Sequence, residues 1–373
     1  MVGSERGRFS QFSKTSRSLD GIKRKILRIV LLMSNCFKII LCVVSQYTLL
    51  ICSHASSNEE IYELVEPTKL ASFSDITYYV RLPKGRPDEN VGRASSRREV
   101  SVRGVLALVT WGTQPEDVRQ NVAEAGRFKS YVKFADKHNL ALIIWTNFKG
   151  YKTAVSGDVM DADRLKAYEK SYSQRAREWK NGYKRLCRRY SLPEKNLMIY
   201  GMSGGGQMAH RLALQEPDYF FAVHIHVNSS YDAIRRDGEQ ILWLVTTGTR
   251  EYGYPAGVRF YREALSRGYN MIFRAEENLR HAGSAETERT SLAFFEYCIK
   301  FLPDASNPKW RPPPVDQFYL MKYPTYIGDY LNSEAFTREV APKYMEPEVM
   351  VALPNKDIAE AWGTVLDFEE KRL

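Results

Sequence analysis

Past its first 55 residues this chain has two cysteines, Cys187 and Cys298. Two thiols do not make a disulfide framework, and each falls on an apolar helical stripe, where a buried free thiol is expected. Histidine is scarce as well, with six in 373 residues, so any chemistry that needs an imidazole has few candidates. Neither G-K-[ST] nor G-x-G-x-x-G follows an apolar run, which removes the loops that cradle nucleotide phosphates. The chain also lacks an internal repeat and a low-complexity tract.

Net charge is missing where it would matter. The formal charge is +10, yet residues 1–55 hold nine Lys/Arg against Glu5 and Asp20, and the remaining 45 basic and 42 acidic residues nearly cancel. A basic stripe for nucleic acid therefore loses its main support. The basic leader has a signal-peptide layout: residues 39–52 are apolar except for Ser45, Gln46 and Thr48, and Ser53-His54-Ala55 offers small residues for cleavage. Met33 followed by Lys38 would make a more ordinary start than Met1. Export with cleavage is the expectation. The alternative is a retained anchor, since residues 26–52 are long enough to span a bilayer although Asn35, Lys38 and Gln46 interrupt them. N-terminal sequencing of the product separates the two.

What is present is alternation. Apolar runs at 76–82, 105–110, 140–145, 196–200, 221–227, 241–246 and 271–274 read as strands. Helical patterns lie between them at 127–138, 163–190, 207–214, 258–267 and 284–302, the last with Ser284 as its N-cap. This predicts an α/β fold: a mostly parallel central sheet flanked by helices, over residues 56–302. Pro303, Pro308 and Pro312-Pro313-Pro314 mark a linker. The aromatic-rich remainder of 303–373 is expected to pack on the same domain.

The chain is organised around Gly201-Met202-Ser203-Gly204-Gly205, reached directly from an apolar run and followed by a helix. G-x-S-x-G at a strand-to-helix turn thrusts the serine hydroxyl outward, and glycines are needed where side chains would strike the neighbouring strand and helix. Chance alone places the pentapeptide in roughly one chain in eight of this length, so the partners decide. A serine hydroxyl needs a base to take its proton and an acid to orient that base. His54 is in the leader and His138 precedes the serine; His210 lies on the following helix, and His224 and His226 share one face of a strand. Only His281, in the loop 278–283, follows both the serine and a credible acid. That acid is Glu251, just past a strand, with Asp232 as the alternative. An oxyanion requires two N–H donors: Gly204 would supply one, and Thr113 or its neighbour Gly112 the other.

The ordered set Trp111-Gly112-Thr113-Gln114, Gly201 to Gly205, Thr247-Gly248-Thr249-Arg250-Glu251 and His281 resembles the α/β-hydrolase superfamily over about residues 76–302. Within it the set is most similar to secreted polyhydroxybutyrate depolymerases and feruloyl or acetylxylan esterases. That group usually has His where Trp111 stands and Asp where Glu251 stands. The resemblance implies a serine hydrolase, in the first place a carboxylic-ester hydrolase, working through an acyl-enzyme without a cofactor or metal. Its substrate would be a small or polysaccharide-linked ester, with no nucleic-acid partner and membrane contact only through an uncleaved leader. Trp111, Trp145, Phe148, Tyr151, Tyr252 and Tyr254 are candidates to line the substrate pocket, though aromatics at such places also serve as packing. Two other readings stay open: a hydrolase-fold envelope-binding protein without catalysis, and a serine peptidase. A zinc site on His224 and His226 lacks a third His or Cys ligand nearby in sequence. The sequence does not say how many chains assemble.

Overall fold

The apolar runs become the strands of one eight-stranded sheet in this computed structural model, which describes residues 63–64, 77–83, 102–109, 127–146, 162–302, 324–341 and 345–366. In chain order the sheet is built from β1 (Glu63–Leu64), β2 (Thr77–Arg81), β3 (Gly104–Val109), β4 (Leu140–Thr146) and β5 (Leu197–Met202), then β6 (Phe220–His226), β7 (Leu242–Gly248) and β8 (Asn270–Glu276). In space they lie β1-β2-β4-β3-β5-β6-β7-β8. The six strands from β4 to β8 in that order are parallel, while β2 runs antiparallel to β4 and to β1.

Helices cover both faces, so the central strands carry no polar alternation. All six residues of β3 and all seven of β7 are buried. The flanking helices are α1 (Lys129–Lys137), α2 (Ala162–Tyr190), α3 (Gly204–Gln215), α4 (Tyr254–Ser266) and α5 (Ala285–Ile299). The apolar stripe of α2 delivers Trp179 and Tyr183 into an aromatic layer, their rings stacked 5.3 Å apart. Gly182 is required there: a Cβ would lie 2.5 Å from the Tyr78 hydroxyl oxygen. Ser284 caps α5, accepting from Thr287 N at 2.9 Å, with Glu286 and Glu288 in the first turn against the helix dipole. Cys187 and Cys298 are buried free thiols.

Several elements differ from the sequence expectation in extent, and for two of them the cause is local. β7 continues through Thr247 and Gly248 because both still pair with β8, at Ala275 and Glu276. α4 starts four residues early, at Tyr254, since Pro255 in the first turn needs no amide partner there.

Residues 324–366 were not legible as strands, yet they form a second sheet. Its strands are β9 (Tyr326–Asp329), β10 (Glu334–Thr337), β11 (Met350–Leu353) and β12 (Thr364–Val365), in the order β11-β9-β10-β12. A short helix, α6 (Lys356–Trp362), docks it on the main body. Trp362 is fully buried and its Nε1 donates to Phe273 O at 2.8 Å; Thr290 Oγ1 donates to Ala361 O at 2.7 Å. The leader (1–55) and the proline-rich linker lie outside the described residues. No helix among the described residues is long and apolar enough to cross a membrane.

Candidate active site

The site sits where β5 gives way to α3. Ser203 has φ 56° and ψ −125°, a left-handed conformation that costs a non-glycine residue on the order of 1–3 kcal/mol. The surroundings enforce it. Ser203 N donates to His226 O at 2.9 Å, and Gln207 N closes the first helical turn on Ser203 O at 2.9 Å. The glycines around the serine answer to contact distances. A Cβ on Gly201 would lie 2.3 Å from Gly205 O, and one on Gly205 would lie 2.3 Å from Val109 O at the end of β3. Three successive glycines weaken a helix start, but a Cβ on Gly205 would collide with the β3 backbone and one on Gly206 would press on Gly201 O at 3.1 Å.

His281 arrives from the loop between β8 and α5. Its Nε2 lies 2.7 Å from Ser203 Oγ, and its Nδ1 lies 3.1 Å from Glu251 Oε2. The second contact is close without being an aligned hydrogen bond, since Oε2 has no partner of good geometry; such contacts often tighten only when substrate binds. Glu251 is 4% exposed, whereas the His281 side chain is 39% exposed. The acid is thus shielded from water and the base faces it.

Local structure explains the placement. β7 ends at Gly248, where a Cβ would lie 2.0 Å from Leu279 O. That close approach brings the Glu251 turn and the His281 loop side by side, joined by Thr249 N to Glu276 O at 2.9 Å and Arg250 N to Leu279 O at 3.1 Å.

Asp232 does not share this arrangement. Its carboxylate accepts from Arg211 Nε at 2.9 Å, and its backbone N–H donates to His210 Nε2 at 3.0 Å. Gly204 begins α3, so its N–H has no carbonyl partner within the helix and lies beside Ser203. Gly112 and Thr113, the second-donor candidates, lie outside the described residues, as do Trp111, Phe148 and Tyr151. Trp145 is not a pocket residue: it is fully buried in β4, with ring centroids 6.3 Å from Tyr78 and 5.8 Å from Trp179. Being inside the strand rather than in the loop after it, its ring belongs to the core. Tyr252 is 64% exposed and stacks on His281, centroids 6.0 Å apart and 23° from parallel. Tyr254 is half-buried at the start of α4.

Sheet order, a strained serine between β5 and α3, and a histidine delivered after β8 now stand together. The fold is that of the α/β-hydrolases.

No family model matches the chain, and no curated protein matches it either. Among solved structures, a ferulic acid esterase is similar at 14% identity over 64% of this chain and 95% of that one, with a TM-score of 0.42. The Bacillus cereus carboxylesterase is similar at 10% identity over 60% and 94%, with a TM-score of 0.44. Est1E from Butyrivibrio proteoclasticus is similar at 12% identity over 65% and 98%, with a TM-score of 0.38.

Sequence reasoning missed a cavity of about 610 Å³ between the first turns of α1 and α5. Arg127, Phe128, Tyr131, Tyr200 and Met202 line it together with Gly283. Met202 adjoins Ser203 in the chain and Gly283 lies two residues past His281, so the cavity opens beside the reactive pair. Tyr131 and Tyr200 stack with centroids 5.0 Å apart. Strand and helix residues distant in sequence make this wall, and no local pattern marks them.

His224 and His226 face one side of β6 as their spacing requires. All four of their ring nitrogens are taken by hydrogen bonds to Ser291, Thr246 and Ala282.

Proposed function

We propose that this chain is a serine hydrolase, in the first place of carboxylic esters, with Ser203 as nucleophile, His281 as base and Glu251 as the orienting acid. The observation that carries the reading is the 2.7 Å contact from His281 Nε2 to Ser203 Oγ, with a buried carboxylate 3.1 Å from the other ring nitrogen. Ser203 Oγ attacks the acyl carbon while its proton passes to His281 Nε2. Glu251 holds the ring so that Nε2 presents its lone pair, and its charge stabilises the imidazolium that forms. The carbonyl oxygen becomes an oxyanion that accepts from Gly204 N–H, with Thr113 assigned as the second donor. The tetrahedral intermediate collapses, the alkoxide leaving group takes the proton from His281, and an acyl group remains on Ser203. Water then enters, gives a proton to His281 and releases the acid by the same path reversed.

The cavity beside Met202 would receive one part of the substrate, and Tyr252, stacked on the exposed edge of the base, would flank the other. Export remains part of the proposal through the leader's layout.

A fluorophosphonate probe tests the reading directly, since it labels only a serine whose proton can be removed. Labelling is expected at Ser203 and lost in Ser203→Ala, together with p-nitrophenyl acetate turnover, by a factor on the order of 10⁶. A well-folded wild-type chain that takes no label refutes it and favours a binding protein on the same scaffold.

A further inference from the structure

Behind the reactive pair, five polar side chains cross the interior in a continuous row: Tyr131, Ser291, His224, Thr246 and His226. We propose that the last of them, His226, is a positioning residue that places the His281 imidazole by holding the carbonyl of Ala282. This rests on the reading of Ser203 and His281 as the reacting pair.

The direction of every bond in the row is forced. His226 Nε2 lies 2.9 Å from Ala282 O, and a carbonyl only accepts, so Nε2 carries the hydrogen. The ring is buried and burial holds it neutral, its pKa lowered to about 4. Nδ1 therefore has a lone pair and accepts from the Thr246 hydroxyl at 2.8 Å. That hydroxyl has one hydrogen and has now given it, so it accepts from His224 Nε2, also at 2.8 Å. His224 is buried and neutral in turn; its Nδ1 accepts from Ser291 Oγ at 2.7 Å. Ser291 accepts from the Tyr131 hydroxyl at 2.9 Å, which burial keeps protonated. Hydrogens thus point one way, from the cavity wall at Tyr131 to the carbonyl of Ala282, the residue after His281.

The row joins five separate pieces of the fold: α1, α5, β6, β7 and the loop that carries the base. On that loop Thr249 Oγ1 accepts from Asn278 N and Glu276 Oε2 accepts from Ser284 Oγ, which holds its two ends. His226 holds the residue next to His281. The imidazole itself is the exposed member of the pair, so its position depends on the backbone beneath it. His226 touches no reacting atom. Reaction rates are steep in such placement: a shift of about 1 Å can cost about 100-fold.

The test compares His226→Gln with His226→Leu. Glutamine keeps a donor near the Nε2 position for Ala282 O and an acceptor for Thr246; leucine keeps neither. Turnover of p-nitrophenyl acetate is measured per fluorophosphonate-titrated site, with urea midpoints recording fold stability. Leucine is expected to lower kcat at least about 10-fold with KM within about two-fold, and glutamine to restore kcat to within about three-fold of wild type. Wild-type kcat per labelled site in the leucine variant overturns the proposal, as does equal loss in both variants. Should the leucine chain not fold, Thr246→Val removes the donor that fixes the His226 tautomer; a fall in kcat of at least about three-fold is expected, and an unchanged kcat overturns the proposal. If the wild type neither turns over ester nor takes label, the hydrolase reading fails by itself. Amide hydrogen exchange over residues 277–284 then decides the positioning role. Faster exchange in His226→Leu (or Thr246→Val) than in His226→Gln or wild type supports it, and identical exchange sinks it.

Discussion

Lowering the pH from 7 to 5 should remove a large part of this protein's stability, because three histidines are locked neutral in its interior. His210, His224 and His226 are each fully buried. Burial lowers the pKa of His210 and His226 from 6.5 to about 4 and pushes His224 well below its ordinary value, with His226 beside it adding to the effect. Asp232 opposes the shift at His210, while Arg211 reinforces it; Arg127 and His281 reinforce it at His226. In the unfolded chain all three take up protons near pH 6.5. The folded pKa values lie below the unfolded ones, so unfolding binds protons throughout the interval between them. Stability is complete above about pH 7, falls as the pH drops through 6.5, and stops falling below about pH 4 for His210 and His226.

The drop from 6.5 to about 4 is worth about 3 kcal/mol in full for each of His210 and His226. At pH 5 about 2 kcal/mol has been lost at each of His210 and His226, about 4 kcal/mol together, and His224 adds to the loss in the same direction. A domain has on the order of 5–15 kcal/mol to lose. Urea unfolding followed by tryptophan fluorescence at pH 7, 6 and 5 reads this as a falling midpoint, and calorimetric proton uptake at pH 5 should give between about two and three protons per molecule. His138 shifts in the same direction and adds to the slope. A midpoint that stays level from pH 7 to pH 5 would mean that these rings protonate in place. The bond directions assigned from Tyr131 to Ala282 would then be wrong.

Two further outcomes follow from the site. Glu251→Gln should lower kcat by about 10²–10⁴ with KM nearly unchanged, because an amide N–H facing Nδ1 favours the tautomer that cannot take the Ser203 proton; Asp232→Asn, whose carboxylate faces Arg211, should stay within a few-fold of wild type. Equal losses in the two, measured with p-nitrophenyl acetate, would mean that the acid is not Glu251. Gly205→Ala puts a Cβ 2.3 Å from Val109 O, a backbone atom of a central strand with no freedom to retreat. It should cost about 3 kcal/mol or more in urea unfolding, and a wild-type midpoint would show that β3 and α3 can move apart.

The sequence by itself determined the elements and their order. Strands buried on both faces are written as continuous apolar runs, and a serine forced into a left-handed turn is written as flanking glycines; both are local demands that a linear reading can see. The candidate pair Ser203 and His281 was legible for a similar reason, since few histidines compete and only one follows the serine in the right order. Choosing between Glu251 and Asp232 was not legible. Both follow strands, and only the fold shows Arg211 beside one carboxylate and His281 beside the other. Trp145, the last residue of its apolar run, was a pocket candidate until the fold turned its ring into the core. The strands of residues 324–366, two to four residues each, are too short to announce themselves, and they exist because β8, α4 and α5 offer them a surface. The row from Tyr131 to His226 was decided by tertiary structure alone: its bonds join residues 20 to 160 positions apart, and hydrogen-bond direction is a property of neighbours in space.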